Sequence, residues 1–514
     1  MTNETERIAV HPAAEHTPAR RAGARQWGAL AVLMLPVLLV SIDITALNFA
    51  LPAIATDLRP SATQQLWIID AYSLVLATLL VTMGNLGDRI GRRRILLIGA
   101  TGFAAFSALA AFAPNAELLI AARAAIGFFG ATLMPATLAL LRTTFEDRRQ
   151  RRLAVAIWAT AFSVGSAAGP VVGGVLLAHF HWGSIFLIAV PVLIPLLVLA
   201  PLLIDETRDP APGPIDAIGI VLSMLALGGL AAGIKEIAAH GADPVGIALV
   251  LLAALSGWLF VRRMRRVRQP MLDVGLFRVP QFSGALLVNL LSVVALTGFL
   301  FFVTQHLQLV EGLDVLDAAL VLVPGVLVMI ASGLLVVRVV RSVDPGVAVV
   351  VGLGASLTAY GMLALLGEQV SIGGIAVAFA LLGLGIGAAE TISNDLILSA
   401  VLPAKAGAAS ALSETAYEFG AVLGTTLLGG LLTAVYRSTL VVPAGTDAAM
   451  AEAARETLGG AVAVAEDAGA AGERLLEAAR IAFDHGVIAT SISGAVLMLL
   501  AMLIAWRSLR GTGD

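Results

Sequence analysis

Apolar stretches of membrane length follow one another along this chain, separated by short charged loops, and they restrict its fold more than any other feature. A spanning helix needs about 20 mostly apolar residues. Fourteen segments qualify, near 28–51, 66–86, 95–113, 117–141, 153–178, 185–204, 216–238, 245–262, 282–305, 317–340, 346–366, 371–400, 409–435 and 485–506. Charged residues make up 13% of the chain and hydrophobic ones 59%, against about 25% charged in an average soluble domain. Mean hydropathy is +0.93. The expected fold class is therefore all-α integral membrane, with 14 transmembrane helices. The chain has no cysteine, which excludes disulfides, thiolate chemistry and cysteine-ligated metals. Residues 1–27 read as a polar tail containing Arg20, Arg21 and Arg25, and the apolar run after it is too long for a cleavable signal.

Arginines set the expected orientation. With the N-terminus taken as cytoplasmic, Arg89, Arg92 to Arg94, Arg142, Arg148, Arg149, Arg151 and Arg152 fall in inside loops. So do Arg262, Arg263, Arg265, Arg266, Arg268, Arg278, Arg338, Arg341, Lys405, Arg507 and Arg510, while the short outside loops hold little beyond Arg59. That asymmetry places both termini in the cytoplasm. Lysine occurs only at Lys235 and Lys405. Three blocks emerge: a six-helix bundle at 28–204, an inserted helix pair with its linkers at 205–281, and a second six-helix bundle at 282–506, followed by a tail at 507–514. The inserted pair reads as a lipid-facing spacer. One outside loop is unusually long: 437–484 is alanine-rich and acidic, and reads as a hairpin of two amphipathic helices, Asp447–Leu458 and Gly472–Phe483, about Gly469.

Between the second and third segments stands Gly84-Asn85-Leu86-Gly87-Asp88-Arg89-Ile90-Gly91-Arg92-Arg93-Arg94. Such a basic turn fixes topology. It also resembles the G-x-L-x-D-R-x-G-R-R signature loop of the major facilitator superfamily. That resemblance gives Gly84, Asp88, Arg89, Gly91 and Arg92 a gating role between the bundles. Asp88 would sit at the N-terminus of the thirteenth helix, near Ala408, where the helix dipole favours an anion. The alternative is a topogenic turn alone. The expected second copy of the loop is degraded to Gly333, Arg338 and Arg341.

Two further motifs extend the resemblance to proton-driven exporters. Helix 5 carries Gly165, Gly169, Pro170, Gly173 and Gly174 in the pattern G-x-x-x-G-P-x-x-G-G. Glycines four apart let helices approach closely, and Pro170 permits a bend; ordinary tight packing is the competing reading. Helix 4 carries Arg123 and Gly127 as R-x-x-x-G. A central charge in a membrane helix costs about 2.5–3.5 kcal/mol on insertion scales, so Arg123 needs a partner. The resemblance assigns it to proton transfer, and a structural ion pair is the alternative.

The membrane carboxylates bear on the substrate. Asp43 lies in Asp43-Ile44-Thr45-Ala46-Leu47-Asn48-Phe49-Ala50-Leu51-Pro52, similar to the D-x-T-x-x-N-x-A-L-P motif of the fourteen-helix drug:proton antiporters. Glu414, Tyr417 and Glu418 lie in Ser413-Glu414-Thr415-Ala416-Tyr417-Glu418-Phe419-Gly420, whose glutamates share one helix face. That pair resembles the branch exporting quaternary ammonium compounds and dyes. Two close carboxylates in a low dielectric resist joint ionisation, so each can take a proton or face a lipophilic cation. Glu390 is a further substrate candidate, Glu414 has the alternative of an interfacial site, and Asp70 and Asp395 read as charges near the outer and inner membrane surfaces.

The resemblance implies a plasma-membrane antiporter exporting cationic drugs, dyes and antiseptics in exchange for protons, with Asp43, Arg123 and Glu418 in proton coupling. Asp43, Glu390, Glu414, Tyr417 and Glu418 would meet the substrate. Expected partners are small-molecule lipophilic cations, protons and membrane lipids, without nucleic acid, cofactor or metal, in a monomer that is not an enzyme. The competing functions are a dedicated exporter of one endogenous metabolite or lipid, a channel, and a membrane-embedded enzyme.

Overall fold

Hydrocarbon offers the backbone no hydrogen-bonding partner, so each apolar segment satisfies its own amides as a helix. The computed structural model describes residues 22–208, 216–241, 243–267, 270, 274–367, 370–400, 406–465 and 468–510. All regular structure among them is helical. The elements are α1 (Ala24–Leu58), α2 (Ala62–Ile90), α3 (Arg92–Ala111), α4 (Ala116–Thr144), α5 (Arg148–His179), α6 (Ser184–Leu187) and α7 (Ala189–Leu203). There follow α8 (Ala217–His240), α9 (Pro244–Met264), α10 (Pro280–Gln305), α11 (Val315–Val339), α12 (Pro345–Leu366) and α13 (Ile372–Ser399). The chain closes with α14 (Ala406–Leu423), α15 (Gly430–Thr439), α16 (Ala448–Glu456), α17 (Leu458–Ala465) and α18 (Gly469–Ser508). Two wider π-helical turns interrupt the pattern, His306–Val310 after α10 and Gly424–Gly429 between α14 and α15.

Helix starts follow local chemistry. Ser61 caps α2 reciprocally with Gln64, Asn115 caps α4, and Asp243 and Asp344 cap α9 and α12 ahead of Pro244 and Pro345. Among the described residues twelve helices are long and apolar enough to cross a membrane, or thirteen with α2 taken as one span bent by 55°. The expected fourteenth is α5, 32 residues long, whose stretch Ala168–His179 is a shorter apolar helix among the described residues.

Helices α1 to α5 and α7 pack together, as do α10 to α15 with α18. The two groups meet where α5 lies on α11, α2 on α14 and α1 on α10. The α8–α9 pair packs through α8 on α2 and also on α14, α15 and the turn between them, with Ile218, Val221, Leu251 and Trp258 exposed on its outer surface.

The long loop departs from its expected form. Its first arm is two helices, α16 and α17, broken at the extended Thr457, whose hydroxyl accepts from Gly460 N at 2.9 Å. The chain turns at Gly469, with φ +54°. From there α18 runs unbroken for 40 residues, so the second arm is the outer end of the last spanning helix. No proline separates Phe483 from that span, the helix continues through Gly486, and propagating an existing helix is easier than nucleating a second one.

Candidate functional site

Arg123 stands at the centre of the first helix group, 1% exposed. Its Nη1 donates to Asp43 Oδ2 at 2.6 Å and its Nε to the Ile68 carbonyl at 3.2 Å. The guanidinium lies 4.6 Å from the centroid of the Tyr72 ring. Gly127, one turn further along α4, makes this possible: a Cβ there would strike the Tyr72 carbonyl. The missing side chain lets α2 close on α4 and carry Tyr72 over the cation, so the R-x-x-x-G spacing has a physical reason. The structure thus joins Asp43 and Arg123, drawn from α1 and α4.

Glu418, on α14, approaches this pair from the second helix group. It is 5% exposed, is bonded to Ser73 of α2, and lies within electrostatic reach of Asp43, Arg123 and Glu414. Its Oε2 has no hydrogen-bond partner among the described residues. Glu414 is half-buried on the same helix. Tyr417 meets Phe162 of α5 edge-on at 6.0 Å. Tyr417 and Glu390 line a cavity of about 340 Å³, walled mainly by apolar side chains that include Phe162, Pro170, Met329 and Val337. Glu390 Oε1 is also unpartnered. An apolar chamber with an unsatisfied carboxylate oxygen in its wall suits a lipophilic cation. Beside it, Asn289, Asn394 and Ser413 form a hydrogen-bonded cluster, with Ser413 Oγ 2.6 Å from Asn394 Oδ1. Asp395 is exposed.

The glycines of α5 divide between two neighbours. Added Cβ atoms at Gly165 and Gly173 would meet Ser41 at 2.7 Å and Ala46 at 3.2 Å, and one at Gly169 would strike the Thr45 hydroxyl, all on α1. Gly174 instead faces α11, where a Cβ would stand 3.0 Å from Ala319. The α5–α11 contact is therefore tight at the end bearing the long loop, hereafter the hairpin end. The cavity lies between these helices toward the arginine-rich end, at Phe162, Gly333 and Val337.

Further contacts shut the hairpin end. Glu456 of α16 pairs with Arg437 at 2.6 Å and accepts from Ala62 N, the start of α2, at 3.4 Å. Gly459 packs against Ala55 of α1, and Gln308 Nε2 donates to the Phe49 carbonyl at 3.3 Å.

At the arginine-rich end, Asp88 accepts from Arg92 Nε at 2.8 Å, and Arg89 occupies the last turn of α2. Gly84 packs on Pro135. Gly91 adopts φ +117°, and a Cβ there would lie 2.6 Å from Glu206. That carboxylate accepts from the amides of Arg93 and Arg94 at 3.0 and 3.1 Å, satisfying the N-terminus of α3. Sequence reasoning missed Glu206; its signal was an acid just past the sixth apolar segment. The expected docking of Asp88 near Ala408 falls on side chains outside the described residues.

A second missed cluster is Asp70 with Lys235. Asp70 is not an interfacial charge: it is 1% exposed, as is Lys235, and their side chains meet at 2.8 Å. A lysine inside the seventh apolar segment was the available signal.

Membrane-length helices in two packed groups, with buried charges and a cavity between them, define a polytopic membrane protein of transporter architecture. The chain belongs to the Major Facilitator Superfamily, whose family model matches residues 33–425. It is 53% identical over 492 residues to the multidrug efflux pump LfrA of Mycolicibacterium smegmatis, covering 95% of this chain and 98% of that one. It is 35% identical to the methyl viologen resistance protein SmvA of Salmonella typhimurium over 93% and 97% of the two chains. Identity to the tetracenomycin C resistance and export protein of Streptomyces glaucescens is 33%, over 81% and 78%. Among solved structures, a bacterial homologue of the human lysosomal transporter Spinster, inward-facing and unoccupied, matches with a TM-score of 0.63 at 18% identity, over 96% of this chain and all of that one. A POT family transporter matches equally well, at 11% identity over 94% and 96%. At these identities the structural likeness concerns the fold alone.

Proposed function

We propose that this chain is a proton-coupled antiporter that exports lipophilic cationic drugs, dyes and antiseptics across the plasma membrane by alternating access. The observation that carries the reading is Glu390 Oε1, unpartnered among the described residues, in an apolar cavity between the two helix groups. Tyr417 of the same cavity lies within electrostatic reach of Glu390 and Glu418 alike, and Glu418 within reach of Asp43 and Arg123. The multidrug efflux and drug resistance relatives support it. In this reading 28–204 and 282–506 are the moving bundles, the arginine-rich end and both termini face the cytoplasm, and the working unit is a monomer in contact with membrane lipids.

A lipophilic cation entering the cavity loses its hydration, and an ionised carboxylate compensates that loss. A proton competes for the same oxygen. Protonation from outside expels the cation, and proton release inside readmits the next one. Glu418 faces the cation and the proton alike, while Asp43 and Arg123 pass the protonation state to the other bundle. Export of one endogenous compound is the second reading, favoured by the tetracenomycin C exporter relative.

The test is ethidium efflux from cells expressing the chain. Efflux should stop when a protonophore collapses the proton gradient at constant ATP, and unchanged efflux would overturn the coupling. Efflux of a single metabolite with no dye transported would favour the second reading.

A further inference from the structure

Lys235 is one of two lysines in the chain, and α8 carries it on a helix with exposed Ile218, Val221 and Leu225. Its Nζ nevertheless lies 2.8 Å from Asp70 Oδ2, donates to the Leu66 carbonyl at 3.2 Å and stands 3.8 Å from the centroid of the Trp67 ring. Asp70 Oδ2 accepts a second bond, from Thr426 Oγ1 at 2.9 Å. Asp70 belongs to the first helix group, Thr426 to a π-helical turn of the second, and Lys235 to the inserted pair. One carboxylate ties together all three parts of the molecule, in the half of α2 nearest the hairpin end.

We propose that Lys235 is a tethered counter-cation that clamps the hairpin end shut, so that the inserted pair is a working part of the gate. A carboxylate buried between two bundles in a membrane must be neutralised or reach water. Lys235 supplies the neutralising charge from α8, which packs on α2 and also on α15 and the π-helical turn. Thr426 supplies the bond that crosses the moving surface. When the bundles part at this end Thr426 withdraws and water reaches Asp70; closure then needs Lys235 in place to rebury the charge. The inference rests on the alternating-access reading, and its test needs no substrate, so its failure and the failure of efflux are separate results.

The groups around Asp70 are few. Lys235 is the charge that acts on it, and Thr425 and Thr426 present hydroxyls from the π-helical turn. Glu236 is half-buried beside Lys235 on α8. Arg437 and Glu456, at the mouth of α2, engage one another, and Glu418 bonds to Ser73 further along α2.

The cysteine-free chain allows a clean reporter. Gln65→Cys places a thiol at a site 3% exposed under the hairpin. Its labelling by a membrane-impermeant maleimide from the hairpin side is compared, at each pH, with the reporter alone. Adding Lys235→Met strands Asp70, so labelling should rise on the order of tenfold at neutral to alkaline pH. It should fall back in acid, where a protonated Asp70 is reburied without a partner. Asp70→Asn with Lys235→Met removes the stranded charge, and should label slowly at every pH. Thr426→Val keeps the ion pair and the side-chain shape, and should raise labelling by about threefold. Equal, pH-independent increases in Lys235→Met and in the double variant would reduce Lys235 to packing and overturn the proposal. No increase in Thr426→Val would overturn the cross-bundle clamp. If Lys235→Met fails to accumulate, Thr426→Val and the double variant decide.

Discussion

Two ion pairs inside the helix bundles, Arg123 with Asp43 and Lys235 with Asp70, use the same chemistry in different mechanical settings. Arg123 and Asp43 sit within the first bundle, and the cation is held additionally by the Ile68 carbonyl and the Tyr72 ring. Lys235 and Asp70 straddle the inserted pair and the first bundle, with a hydroxyl from the second bundle completing the set. A rigid-body rotation of one bundle against the other leaves the first pair intact and removes a member of the second cluster. Burial alone therefore does not identify a gate; the partition of its members among moving bodies does.

The largest effect should come from breaking the pair inside the bundle. Arg123→Met leaves Asp43 without its cation, and stranding one partner of a buried pair costs about 3–5 kcal/mol. Proton-driven efflux should vanish at matched membrane abundance. Arg123→Lys should not rescue it, because an ammonium cannot reproduce the fork that reaches both Asp43 and the Ile68 carbonyl. Full rescue would mean that Arg123 is a point charge like Lys235.

Glu418→Gln should come next. It keeps the bond to Ser73 and removes the charge, so efflux of cations should fall by roughly tenfold and that of neutral substrates far less. Asp43→Asn should slow every substrate, and Glu414→Gln should do less than Glu418→Gln. Equal losses for cationic and neutral dyes in Glu418→Gln would leave that residue a structural part of the interface.

Two glycines separate in-bundle from between-bundle packing at smaller cost. Gly169→Val should collide with Thr45 and lower the melting temperature of the purified protein, the usual penalty for overpacking being about 1–3 kcal/mol. Gly174→Val presses on Ala319 of the other bundle, and should raise hairpin-end labelling while shifting melting less. If both variants behave alike, the α5–α11 contact does not part. The smallest effect belongs to Glu206→Gln, which weakens an anion at the α3 N-terminus worth about 0.3–1 kcal/mol; thermal melting at low salt is the measurement.

How much of this the sequence reveals follows from the range of each force. Span length is a local property imposed by the bilayer, so the apolar segments were legible. Arg123, Asp43 and Glu418 were legible too, because a charge deep within an apolar run has few reasons to be there. Asp70 was misread because it lies only eight residues into α2, and its partner is 165 residues away (235 minus 70). Pairing at that separation is settled by how α8 packs on α2, which no local pattern encodes. Glu206 was hidden for the same reason. The broken first arm of the hairpin turns on one extended residue, Thr457, that composition does not mark.

The last helix has a mechanical consequence. At 1.5 Å per residue its 40 residues make a rod about 60 Å long. One end is bound to α17 of the hairpin and, through Arg480 Nε, to the Leu309 carbonyl. The other wedges Ser508 against Gly284 and Leu509 against Gly346. Such a rod carries torque, so a ligand that seizes residues 448–465 and never enters the cavity gains leverage on the far membrane face. An antibody fragment raised against that small cap would act as a brake applied at the hairpin end, away from the substrate pathway it stops.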